Sequence, residues 1–382
     1  MKLLRIAAIA LVSVQPGNLM YCETPSTLPS PTYRVQIEGL RAATMSPDDK
    51  YLAVFVVKNA GAEVQVWDFL SGSLVQTHSL PAPEPGPKYH KPISYVRYTN
   101  DGELLVVYTG GDLLYVLRAK DLDEVRTTTI RSRTNVTAFE VSPAGHRVAF
   151  RMAGDVRVLD LDSGEELRNW RIDQDSHFEM SALLKVSPQL DGAGLAWQGD
   201  GRTLAVSVAD NPPCLRGGGT IYIFDLASEK AVKSFRVKLL ASTLAFGMSN
   251  SLLIASNTCG GYFSHHTLDL PIFDSASGRE TGTIPAGKVG VRNQIATSAN
   301  GRILLAYADR EKTTPEGFED TRKIEAAQLQ VWDLATRKLI LVFPTTGWDV
   351  YSEVYSLSSS GRFVYASRAK EVRIFPVPVA PK

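Results

Sequence analysis

One short pattern recurs seven times along this chain, and no other feature restricts its fold as much. It reads Ser-Pro-Asp-Asp-Lys-Tyr-Leu-Ala from Ser46 and Thr-Asn-Asp-Gly-Glu-Leu-Leu-Val from Thr99, and it returns from Ser142, Gln198, Gly247, Ser298 and Ser358. Each copy is a polar turn followed by a β-rich run. Asp, Asn and Gly suit such a turn because they tolerate the positive φ that a tight hairpin needs. The turn residues are Asp49, Gly102, Gly145, Gly201, Asn250, Gly301 and Gly361, so the spacing runs from 43 to 60 residues. That is too long for a leucine-rich or ankyrin unit and suits four short strands with their loops.

A second pattern has the same period. It is an alternating strand that ends in an aromatic or aliphatic residue and Asp: Val64-Gln-Val-Trp-Asp68, then strands ending at Asp160, Asp225, Asp274 and Asp333. Leu114 to Arg118 and Val372 to Pro376 are variants without the Asp. A second turn follows most copies, such as Ser71-Gly72, and then another strand. Each unit therefore has four strands, a to d, with the first turn between a and b. The repeated Asp residues are expected to cap turn amides after strand c. Alternation such as Val-Gln-Val turns one side chain in and the next out. A lone sheet of this kind cannot bury both faces, whereas seven packed around an axis bury them against one another.

The ends of the chain complete the count. The seventh unit stops at strand c, and Tyr33 to Glu38 is an unassigned strand ahead of the first unit. Pairing the two supplies the missing strand d and removes an exposed sheet edge. The fold class is therefore all-β: a seven-bladed β-propeller of four-stranded antiparallel blades over residues 32–376. The ring is closed by the N-terminal strand pairing with the last blade, and residues 377–382 form a tail.

Trp67-Asp68, Trp332-Asp333, their variants and the seven Asp-Gly-type turns resemble the WD40 and YVTN-type β-propeller repeats. The chain lacks a Gly-His dipeptide at its repeat starts, so it is most similar to the divergent WD40-like propellers of bacterial envelope proteins. The resemblance implies a propeller architecture. It implies either a binding platform or, as the rival, an enzyme of the metal-dependent lactonase or quinone-dependent dehydrogenase kind with its site in the central channel.

Lys2 and Arg5 precede an apolar run from Ile6 to Val14, too short to span a bilayer and of the right length for a signal-peptide core. Residues 1–22 are expected to be such a signal and 23–31 a linker, which places the protein in the periplasm or outside the cell. Translation from Met20 would leave it cytoplasmic. No transmembrane segment is expected in the mature chain. Lys+Arg is 41 against Asp+Glu 40, for a net charge of +1, so no basic excess points to nucleic acid. Three cysteines are too few to build a fold from disulfides.

Variation concentrates in the b–c connections. Against the shortest, units four and five carry nine extra residues each and unit six carries seventeen. In propellers these loops share a face with the d–a connections, and loops on a rigid scaffold commonly carry binding. Arg216, Tyr262, Phe263 and Trp348 on this face are the expected contacts of a protein partner. Cys214 and Cys259, in equivalent loops of adjacent units, are candidates for a disulfide if their Cα atoms come within about 7 Å. His265-His266 lies beside Cys259, but adjacent residues of an extended segment point oppositely and make a poor metal site. No nucleophile elbow, P-loop or zinc-protease motif occurs. The channel-lining starts of the units read as mostly apolar or small, as in Thr137-Ala-Phe139. The expectation is thus a non-catalytic binding scaffold, with no catalytic residue, metal or cofactor, acting as a monomer or as a subunit of a larger assembly.

Overall fold

The strands of this chain form seven four-stranded antiparallel sheets, and in six of them the strand order follows the chain from a to d. The computed structural model describes residues 31–58, 61–81, 94–110, 112–130, 136–152, 154–172, 194–210, 218–238, 241–248, 251–257, 269–286, 295–311, 324–344, 355–368 and 370–378. All regular structure among them is β. Blades 1 to 6 occupy residues 40–80, 95–129, 136–171, 195–237, 241–284 and 295–344. Blade 7 combines residues 355–376 with the N-terminal strand Tyr33–Gln36, as the sequence requires. That strand pairs antiparallel with Glu371–Pro376 in the register Tyr33↔Ile374 to Gln36↔Glu371. The Thr32 amide extends the ladder to the Ile374 carbonyl, and the Ile37 amide to the Lys370 carbonyl.

The core is divided rather than single. Seven apolar clusters lie between consecutive blades, one at each boundary, including the boundary between blades 7 and 1. At the closing boundary Val35 and Ile37, both 2 % exposed, pack with Val54, Phe69, Tyr365 and Ile374. Phe69 meets Tyr33 and Phe363 edge-on, with ring centroids 5.3 and 5.5 Å apart. Edge-to-face geometry contributes roughly 0.5–1.5 kcal/mol per pair beyond the area buried.

Two kinds of turn recur from blade to blade. The a–b turn residues Asp49, Gly102, Gly145, Gly201, Gly301 and Gly361 all have φ between 58° and 77°, and Asn250 lies outside the described residues. Three residues ahead of the turn residue, blades 1, 2, 3, 6 and 7 carry a buried Ser or Thr, whose hydroxyl ties the hairpin. Thr99 Oγ1 accepts from the Leu104 amide, Ser298 Oγ from Ile303 and Ser358 Oγ from Phe363. The c–d turn carries a bulge in strand c. There Asp68 Oδ1 accepts the amides of Leu70 and Ser71, and Asp160 Oδ1 those of Asp162 and Ser163. Asp225 Oδ1 accepts from Ala227, Asp274 Oδ1 from Ser277 and Asp333 Oδ1 from Thr336. The Ser163 amide and hydroxyl hold the Asp160 carboxyl below the usual carboxylate range, and Arg202 does the same for Asp225.

The Trp of strand c brings its own partner. Trp67 and Trp332 each donate the indole N–H to the glutamine two residues earlier, Gln65 at 3.2 Å and Gln330 at 3.1 Å. Gln330 in turn donates Nε2 to the Ala286 carbonyl of blade 5 at 2.7 Å. Among the described residues no helix is long and apolar enough to cross a membrane.

Candidate functional site in the central channel

Strand a of every blade lines the axis, and its inward side chains determine what the channel can hold. These strands are Leu40–Met45, Tyr95–Tyr98, Val136–Val141, Leu195–Trp197, Ala241–Gly247, Ile295–Thr297 and Tyr355–Leu357. They surround a cavity of about 460 Å³. Five residues ahead of each turn residue, one side chain per blade reaches this cavity: Thr44, Arg97, Glu140, Ala196, Ala245, Ala296 and Ser356. The strand pairing places all seven at one level, each opposite the residue four beyond its turn, as in Arg97↔Val106 and Glu140↔Ala149.

Arg97 and Glu140 are the two charged side chains among the described residues of the lining. They stand out in a lining that is otherwise mostly apolar or small, as the sequence led one to expect. The Thr137-Ala-Phe139 stretch turns Phe139 into the core between blades 2 and 3, while the next residue, Glu140, is the one that reaches the channel. Burial raises the pKa of Glu140, and Arg97 opposes that rise. Arg97 donates Nη1 to the Val96 carbonyl at 3.0 Å.

The wall around this pair is braced. Trp197 of blade 4 donates its indole N–H to the Glu140 carbonyl at 3.1 Å. Tyr95 stacks on Phe139 with centroids 5.1 Å apart and a 12° interplanar angle. Tyr365, buried, donates to the Ala43 carbonyl at 3.1 Å. Burial raises the pKa of Tyr95 and Tyr98, so both phenols stay protonated at neutral pH. In blade 4 the strand backbone approaches so closely that a Cβ at Gly194 would lie 2.6 Å from Ser207 Oγ, the atom that accepts the Gly194 amide.

On the face of the ring formed by the turns, His146 bridges blades 2 and 3. Its Nε2 lies 2.7 Å from Asp101 Oδ2 and its Nδ1 2.8 Å from Asp162 Oδ1. Asp101, Glu103 and His146 bring ligand-type atoms within 4.8 Å of one another, but both imidazole nitrogens already face a carboxylate.

Arg216, Tyr262, Phe263, Trp348, Cys214, Cys259 and His265-His266 lie outside the described residues. What is described is the base from which their loops spring. In blade 6, strands Ile303–Glu311 and Ile324–Asp333 pair over nine positions, out to Glu311↔Ile324. The same pair of strands matches over five positions in blade 2 and six in blades 3 and 7. The paired b–c ribbon of blade 6 is therefore three positions longer than that of blade 7.

No protein-family model matches the chain, and no curated protein matches it. Solved structures do, 1506 chains of them, so the likeness identifies a widespread architecture. A chain of a structure titled "Crystal Structure of Mitotic Checkpoint Complex" superposes with a TM-score of 0.61 at 16% identity, covering 98% of this chain and 99% of that one. A chain of hydrazine synthase from Kuenenia stuttgartiensis superposes with a TM-score of 0.60 at 15% identity, covering 95% and 100%. One neighbour comes from a protein assembly and the other from an enzyme. At such identities the likeness shows the fold alone, and the architecture it fits is that of a WD40-like seven-bladed propeller.

Proposed function

We propose that the protein is a non-catalytic binding scaffold, exported to the periplasm or the cell surface, which engages a protein partner through the face carrying the long b–c connections of blades 4 to 6. The observation that carries this reading is the blade 6 ribbon. Its nine-position pairing carries the hairpin three positions beyond the corresponding pairing of blade 7. Blade 4 adds a second ribbon, paired over eight positions from Thr203↔Asp225 to Asp210↔Gly218, a length that blade 1 also reaches. Such ribbons offer a partner preorganised loop bases, which lowers the ordering cost of association. Trp348, Tyr262, Phe263 and Arg216 are the residues assigned to contact it, because aromatic and Arg side chains dominate binding energy at interfaces.

The test is cross-linking in intact cells with a photo-reactive residue at Trp348 or Tyr262. One dominant protein adduct is the expected result. No adduct at either position, from a protein that is monomeric in the native extract, would overturn the reading. The enzymatic alternative would run through Glu140, the one acid on the channel ring. Activity lost in Glu140→Gln would favour it.

A further inference from the structure

The ring of seven channel side chains is divided into two unlike halves. Blades 4, 5 and 6 contribute Ala196, Ala245 and Ala296. Blades 7, 1, 2 and 3 contribute Ser356, Thr44, Arg97 and Glu140. Since the strand register puts all seven at one level, the alanines leave space on one side of the axis and the polar arc forms the wall opposite. The seven positions are equivalent by the repeat, yet chemically they are not. A channel that needed only filling would carry similar apolar side chains around the ring.

Arg97 and Glu140 are neighbours on that wall and opposite in sign. Among the described residues they form no ion pair with each other, and the Glu140 carboxyl accepts no hydrogen bond. A guanidinium carries five N–H donors, of which the contact to the Val96 carbonyl uses one. Arg97 and Glu140 are half-buried in the channel wall, and partial loss of solvent around a charge that has no hydrogen-bonded counter-charge carries a cost. A partner molecule in the channel would offset that cost. Its chemistry follows from the pair: a simple anion would gain Arg97 but face Glu140, and a simple cation the reverse. A molecule bearing both charges satisfies both walls.

We propose that the central channel binds a small zwitterion of the α-amino acid class. Its carboxylate is held by the Arg97 guanidinium, its ammonium by the Glu140 carboxylate, and its side chain lies in the space over Ala196, Ala245 and Ala296. The cavity of about 460 Å³ has the size of a small-molecule site. The wall is held in place by the Trp197 bond to the Glu140 carbonyl and by the Tyr95–Phe139 stack. The site is independent of the loop face, so a partner adduct there neither supports nor weakens it.

The experiment is calorimetric titration of the intact protein with each of the twenty L-amino acids, and with acetate and methylammonium as half-ligands. At least one amino acid should bind with a sub-millimolar Kd, while both half-ligands bind at least tenfold more weakly. Arg97→Gln and Glu140→Gln should each weaken that binding tenfold or more. Ala245→Leu, which fills the open side without touching the charges, should do the same. Melting curves of the unliganded variants should show that each is folded. Absence of binding by any amino acid would overturn the proposal. So would acetate binding as tightly as the amino acid, or binding that persists unchanged in both charge variants.

Discussion

His146 of blade 3 holds Asp101 of blade 2 at 2.7 Å through Nε2 and Asp162 of its own blade at 2.8 Å through Nδ1. Burial alone would lower the imidazole pKa, but the hydrogen bonds and charges of Asp162 and Asp101 outweigh it and raise the pKa above its ordinary value. A group whose folded pKa is raised stabilises the fold fully below its unfolded pKa, about 6.5 for histidine, and loses that contribution as pH climbs through the folded pKa. The clasp is partly exposed, so its contribution is about 1 kcal/mol or less. The stability difference between the native protein and His146→Gln should therefore be largest near pH 5.5 and shrink toward pH 9. Denaturant melts of both proteins at several pH values measure it. A difference that grew with pH would contradict this account.

The c–d turn offers a paired test of backbone strain. The fourth residue after the strand-c end is left-handed in five blades, whereas Glu229 of blade 4 is not. It is Gly72, Gly164 and Gly278 in three blades, but Leu122 (φ 60°) and Arg337 (φ 54°) in two others. A left-handed non-glycine costs roughly 1–2 kcal/mol, partly offset by the greater chain entropy of glycine. Arg337→Gly is expected to leave stability unchanged or raise it by up to about 1 kcal/mol. Leu122 is 2 % exposed in the core between blades 1 and 2. Its loss should cost about 2–5 kcal/mol and swamp the backbone gain. Urea unfolding of the two variants decides the matter by the sign of each change.

The Trp332–Gln330–Ala286 relay crosses from blade 6 to blade 5 inside the core. Gln330→Leu would leave the buried indole N–H and the Ala286 carbonyl without partners, at about 1–3 kcal/mol for each. Gln65 serves Trp67 in the same way, but its own amide donates to Glu63 at a part-buried site. Gln65→Leu should therefore cost less than Gln330→Leu. Equal losses in thermal unfolding would show that the interblade bond to Ala286 contributes nothing.

Closure of the ring can be broken at one residue. Val35→Asp places a charge among Val54, Phe69 and Ile374 and should detach the closing strand, leaving the strand Glu371–Pro376 with an open edge. The expected loss is at least 3 kcal/mol, with association of the variant that increases with concentration. Size-exclusion light scattering across a concentration series reads the second effect. A monomer of native stability would remove the closing strand from the account of stability.

The parts of this fold that repeat were legible in the sequence. The six described turn positions read from the Asp-Gly pattern all have positive φ, and the strand supplied by Tyr33 to Gln36 sits where the missing strand of the last unit required it. These features recur because the local geometry is the same in every blade. The channel ring was not legible for the converse reason. Its seven residues share a position but no common residue type runs round the ring, and Arg97 and Glu140 each occur once, so no recurring signal marks them. Counting five back from each turn residue would have found all seven. The Gln-x-Trp pairing was visible as Val64-Gln-Val-Trp67 and Leu329-Gln-Val-Trp332, although the sequence does not say that Gln330 spans two blades.

The pairing of Val35 with Val372 also sets an order of events during synthesis. Blades 1 to 6 each take their strands from one continuous stretch and can assemble in turn as that stretch becomes available. The seventh must wait, with residues 33–36 made first and idle until their partners emerge more than three hundred residues later. In that interval the nascent ring has two free ends, and a chaperone that shelters the N-terminal strand would have its longest opportunity to act on this protein then.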